Sequence, residues 1–285
     1  MESKRLEIQN ELRDIRSLPI LPGVLKKLNS LVDNDKSSID EMSRLISSDQ
    51  TLSVRVLKLV NSPFYGFSGR VSTVSHALIL LGVNVLKGLT LSSSIFEIME
   101  QHAIGLWEHS LGSAVVARMI CTKLKLPDAE GISTAALLHD IGKVVIKIKF
   151  GEDYKKICSL MEEKGLIMIE AEREILQTDH AEIGNWIARS WNLPEKLIEP
   201  MAFHHDVEKS VAHRTRTAIV HLSDVLTKGY GFGFSGDDFV PKIQTLALEH
   251  LDLSEEMLEE IINEADESLM NAREFSLEVQ TNASG

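Results

Sequence analysis

Apolar and polar positions recur at the helical period along nearly the whole chain. In SIDEMSRLI, Ser38 and Glu41 stand at capping-box spacing, and Met42, Leu45 and Ile46 then share one face. QTLSVRVLKLVNSPFYG sets Leu52, Val56, Leu59 and Val60 on one stripe and closes at Asn61, Ser62 and Pro63. In VSTVSHALILLGVNVLKGLTLSSSIFEIM, Gly82 and Gly88 mark points of termination or close helix contact. Further helices are predicted over 107–124, 132–146, 154–164, 167–176, 181–191, 195–204 and 215–228. GYGFGFSGDDF breaks the period and reads as a loop bordering a pocket. After Ser254, Met257, Leu258, Ile261 and Ile262 form a stripe opposite Glu255, Glu256, Glu259 and Glu260, a helix packed on the body, and TNASG at the end reads as disordered. The expected fold class is all-α, with no repeat of fixed period.

Composition narrows the function classes. The chain has 285 residues, 44% of them hydrophobic, enough for a sizeable core. A net charge of -12 argues against a broad nucleic-acid surface. Cys121 and Cys158 are the only cysteines, too far apart to suggest a disulfide framework or a cysteine zinc site. The N-terminus lacks the apolar run of a secretory signal, and no apolar stretch approaches a bilayer span, so a cytoplasmic protein without a membrane partner is expected.

The chemistry gathers around AALLHDIGKVV, where His139 and Asp140 interrupt an apolar run. Burying a carboxylate beside Leu137 and Leu138 is costly without a compensating cation. His109, His180, His204 and His205 also lie at or near expected helix ends in the second half. Imidazole and carboxylate donors together suit a first-row divalent ion (iron, manganese, nickel, zinc or cobalt) better than calcium or magnesium. Neighbours on a helix point about 100° apart, so His139 and Asp140 could meet one ion only in a groove between several helices. Arg214 and Arg216 are weighed as anion contacts but read as ordinary surface arginines. His76, His102, His213, His221 and His250 lack a partner pattern, and Trp107, Trp186 and Trp191 read as core.

HDIGK resembles the signature of the HD superfamily of metal-dependent phosphohydrolases. LPILPGVLKKL, IDEMSRLISSDQTLSVRVLKLVNSPFYG and VSTVSHALILLGVNVLKGL resemble the HDOD family, the HD-related output domain of bacterial signalling proteins. The resemblance runs from about 18 to about 228 and implies a multi-helix HD-like domain preceded by an N-terminal helical subdomain. The boundaries expected are a lead-in helix at 1–17, an N-terminal half at 18–105, a metal-binding half at 106–230, and a glycine-rich loop with an acidic helix at 231–285.

The same resemblance implies a ligand set. One ion would be held by His109, His139, Asp140 and Asp224, and Asp140 would bridge to a second held by His180, His204 and His205. Lys143 would hold a phosphate oxygen, and Asp140 and Lys143 would be the catalytic residues of a hydrolase. No glycine-tyrosine-proline motif follows FHHD, so cyclic-dinucleotide hydrolysis is not supported, and Gly105 stands where some relatives carry a glutamate for a third metal. The implied function is a signalling or regulatory domain with a retained HD-type site of one or two ions (Fe, Mn, Ni or Zn). Its partner would be a signalling protein or a small phosphate-containing ligand. The alternative is an active phosphohydrolase or phosphodiesterase acting on a phosphate ester or nucleotide.

Overall fold

The computed structural model describes residues 3–13, 39–62, 65, 67 and 70–281. LPILPGVLKKL, the capping-box Ser38, Pro63 and the last four residues of TNASG lie outside these. Among the described residues there is no strand, and the fold is all-α.

Helix α1 (Lys4–Arg13) is followed by α2 (Ile39–Ser47), α3 (Gln50–Val60) and α4 (Val74–His102). The side chain of Asp49 caps α3 by accepting from Leu52 N at 3.0 Å. Gly82 kinks α4 with φ 76° and ψ 162°, a conformation that L side chains avoid. One turn and a half later Gly88 packs against Thr134, so both glycines expected to punctuate this segment do so, each in a different way.

The second half contains α5 (Leu106–Lys123), α6 (Ala129–Leu138), α7 (Ile141–Lys149), α8 (Gly151–Lys164), α9 (Met168–Leu176), α10 (His180–Ser190), α11 (Glu195–Phe203) and α12 (Arg214–Gly229). Two more helices, α13 (Thr245–Leu251) and α14 (Glu255–Thr281), follow the glycine-rich loop. Helix α5 is the axis: Leu111, Ala114, Val116, Ala117 and Ile120 are all fully buried, and α6, α12 and α14 pack round it. A helix apolar on every side belongs in a core. Helix α14 seats Ile261, Ala265, Leu269 and Ala272 on the body, while Lys123 pairs with Glu260 and Glu264. Ile262, expected on the packed stripe, lies outside it.

The single helix expected over 132–146 is not formed. Helix α6 ends at Leu138, Asp140 adopts φ -96° and ψ 10°, and α7 starts at Ile141. The turn removes the fan of about 100° that an unbroken helix would impose on neighbours, so His139 and Asp140 aim at one place. Glycine at 142 lets α7 cross α10 at close range: a Cβ there would overlap the carbonyl oxygen of His180.

Trp107 and Trp191 are buried as expected, but Trp186 is only partly covered and carries the Arg5 guanidinium 5.4 Å above its ring. With Arg5 Nε 3.1 Å from Glu182 Oε2 and Lys4 3.0 Å from Asp153, α1 is fastened across α8 and α10. Arg216 is bound to Asp128 at 2.7 Å, an oxygen it shares with Lys196. No helix among the described residues is long and apolar enough to cross a membrane.

Candidate metal centre

Five segments deliver seven side chains to one buried point. His109 comes from the second turn of α5, His139 and Asp140 from the α6–α7 turn, and His180 from the first position of α10. His204 and His205 follow the last turn of α11, and Asp224 comes from the middle of α12. Each local start or stop has its own cause: Asp179 caps α10 by accepting from Glu182 N at 2.9 Å, so His180 sits at a fixed helix end.

The seven fall into two sets. Ligating atoms of His109, His139 and Asp224 lie within 4.8 Å of one another, as do those of Asp140, His180, His204 and His205. The Asp140 carboxylate stands between them. Its Oδ2 lies 3.6 Å from His109 Nε2 and 3.4 Å from His139 Nε2, and its Oδ1 lies 3.3 Å from His180 Nε2 and 3.8 Å from His204 Nε2. Asp224 Oδ1 is 3.0 Å from His109 Nε2 and 3.6 Å from His139 Nε2. All of the positions named from the sequence are therefore brought together. Lys143 joins them from α7 with its ammonium 2.7 Å from Asp140 Oδ2.

The outer faces of the imidazoles are tied down. His139 Nδ1 donates to the Ala136 carbonyl at 2.5 Å, His204 Nδ1 to the Met201 carbonyl at 2.7 Å and His180 Nδ1 to Glu172 Oε2 at 2.6 Å. Each such bond places a proton on Nδ1 and leaves Nε2 to face the centre. There the Nε2 atoms of His109, His139 and His204, with Asp140 Oδ1 and Asp224 Oδ2, are buried yet make no hydrogen bond of acceptable geometry. Buried polar atoms without partners are expensive, and a shared cation is the group that would satisfy all of them at once.

Charge points the same way. Burial opposes ionisation of Asp140 and Asp224, but the imidazoles, and Lys143 at Asp140, hold both carboxyls well below the usual range. Burial lowers His109, and together with neighbouring positive groups it lowers His180 and His205 far and His204 to about 3. These four are neutral at pH 7, the form that ligates metal. His139 is the exception: burial would lower it, yet Asp140 and Asp224 outweigh burial and raise it to about 10. The two carboxylates thus draw a proton to the place where a cation would stand. Donor type and orphaned atoms both fit a divalent first-row ion.

Two supporting residues carried no motif. Glu172 is fully buried and accepts from both Nδ1 and the backbone N–H of His180, and burial pushes its carboxyl up to about 8. The signal available in the sequence was its place on the apolar stripe of α9, four residues from both Met168 and Leu176. His221 bonds the His204 carbonyl through Nδ1 at 2.7 Å and receives Gln244 N–H on Nε2 at 3.0 Å. It is a structural histidine, tying the ligand pair to α12.

An all-helical fold that converges five imidazoles on two carboxylates defines an HD-like helical domain. The chain belongs to the HDOD domain family, whose sequence model matches residues 18–207. Six of the seven positions fall inside that match and Asp224 lies beyond it. An uncharacterized protein of Treponema pallidum (strain Nichols) is 28% identical over 203 residues, 68% of this chain, which spans 38% of that protein's length. An HDOD domain protein of unknown function from Geobacter sulfurreducens superimposes with TM-score 0.69 at 27% identity, over 94% of this chain and 96% of that one. A protein of Shewanella amazonensis SB2B, provisionally named a phosphohydrolase, shares the fold with TM-score 0.66 at 22% identity, over 93% and 97% of the two chains.

Proposed function

We propose that this chain is a signalling HDOD module whose His/Asp centre holds one or two divalent ions (iron, manganese, nickel or zinc) chiefly to fasten its helices together. The observation that carries the reading is enclosure: His109, His139, Asp140, His180, His204 and Asp224 are each no more than 2% exposed. A clamp can be closed by protein donors, whereas a catalytic ion needs a position open to substrate. Its helices would then present a fixed outer surface to a signalling protein or a small phosphate-containing ligand.

A second reading, phosphoester hydrolysis, is favoured by the partial exposure of His205 and by the Lys143 ammonium at 2.7 Å from Asp140. A bound ion would supply Lewis acidity for that chemistry. On the protein side, Asp140 would hold the geometry between the two sets, and Lys143 would have to release Asp140 to take a phosphate oxygen. Elemental analysis of the wild-type protein against a His139→Ala, Asp140→Ala double variant tests the metal, with the ion expected in the first and lost from the second. Equal, negligible metal in both would overturn it. Assays on phosphomonoesters and cyclic dinucleotides with added manganese or iron are expected to show no turnover that depends on Asp140. Such turnover would transfer the case to the hydrolase.

A further inference from the structure

Beside the metal centre, and lined by none of its seven residues, is a cavity of about 640 Å³. It lies where the end of α4 and start of α5, helices α7 to α9 and the glycine-rich loop meet. Leu106 and Met168, both 3% exposed, give it an apolar interior, and Ile104 and Phe234, at 79% and 44%, form an apolar lip. That volume and lining are of the kind that encloses a small organic molecule.

Its charge runs against that of the molecule. The chain carries -12 overall, yet the cavity is lined by Lys143 and Lys147 and by no acidic residue among those described. The Lys143 ammonium is paired with Asp140. The Lys147 ammonium lies 5.0 Å over the Tyr154 ring, a contact that leaves its hydrogen-bonding capacity for an anion. Ser235, 3% exposed, lines the cavity as well. The loop that presents it is held by Asp237, which accepts from Met168 N at 2.9 Å and pairs with Lys228 at 2.7 Å. The wall is therefore built in advance.

We propose that this cavity binds a small amphipathic anion, an apolar or aromatic body carrying one phosphate or carboxylate that sits against Lys147. The site stands whether or not the neighbouring centre takes metal. Calorimetric titration of the full chain with 1-naphthyl phosphate, 1-naphthoate and neutral 1-naphthol tests it. The anions are expected to bind at least about tenfold more tightly than naphthol, the scale of one charge-assisted hydrogen bond. Their order identifies phosphate or carboxylate as the preferred group, and naphthoate, which has no ester to hydrolyse, separates binding from turnover. Lys147→Met should bring both anions to the affinity of naphthol without changing metal content, while Lys149→Met, exposed on the same helix, should leave them unchanged. Equal binding of anions and naphthol, or wild-type affinity in Lys147→Met, would overturn the proposal.

Discussion

Two glycines at one helix crossing should answer the same substitution with opposite signs. Gly142 opens α7 and Gly184 lies in α10. An added methyl at 142 would overlap the His180 carbonyl oxygen and come within 2.8 Å of its carbon and 2.9 Å of its Cα. All three are backbone atoms, so no rotamer change relieves the overlap, and the helices must part by on the order of 1 Å. Overpacking of this kind costs about 1–3 kcal/mol. It also carries His180 away from Asp140, now 3.3 Å apart, and metal sites tolerate only about 0.2 Å of error in a ligand distance. At 184 the nearest atoms to a new methyl are Ile141 Cγ2 at 3.6 Å and Gly142 N at 3.8 Å, ordinary contacts. There the substitution only removes the backbone-entropy penalty of glycine in a helix, about 0.5–1 kcal/mol. Urea unfolding with metal analysis on both variants is the assay. Gly142→Ala should lose stability and metal together, and Gly184→Ala should keep its metal and be as stable as wild type or more so. A Gly142→Ala protein with wild-type midpoint and metal content would refute the account of the crossing.

Three further outcomes follow from the same geometry. Stripping the ion with a chelator should lower Tm by about 5–10 °C when the ion was present at about a hundred times its Kd, as linkage requires for a chain of this size, and an unchanged Tm would remove the clamp. Glu172→Ala should weaken metal binding about 10–100-fold by freeing the His180 ring, with helical circular dichroism retained; unaltered affinity would show that the carboxylate does not orient it. Glu199 is buried, and although burial opposes its ionisation, the Ser210 hydroxyl and the N–H groups of His213, Val211 and Ala212 hold its carboxyl below the usual value of 4.5. Its stabilising effect is therefore complete above that pH and disappears as pH falls through the lower folded value. Glu199→Gln should be less stable than wild type at pH 7, and a stability gap that fails to narrow in acid would contradict this.

What the sequence could nominate and what it could not are divided by range. Helices read well because their period is local: α5, α9 and α10 begin and end within a residue or two of expectation, and every candidate ligand except Asp224 sits at or near a helix start, stop or turn. The break between His139 and Asp140 was not legible, since Ala135, Ala136, Leu137, Leu138 and then Val144 and Val145 satisfy one continuous apolar helix. Nothing in that stretch is a helix breaker except Gly142, and its decisive neighbour, the His180 carbonyl, is thirty-eight positions away in number and in contact only through the crossing of α7 and α10. Glu172 was hidden for the same reason, a carboxylate on an apolar stripe whose purpose is a ring eight residues on. Lys143 was placed toward a phosphate, and the fold gives it Asp140 first. Residue types can therefore propose a metal centre, but the turn at 139–140 and the closeness of one helix crossing decide whether Asp140 reaches both sets of imidazoles. A substitution at the crossing, outside every ligand, is consequently the sharper probe of the centre than the loss of any one donor.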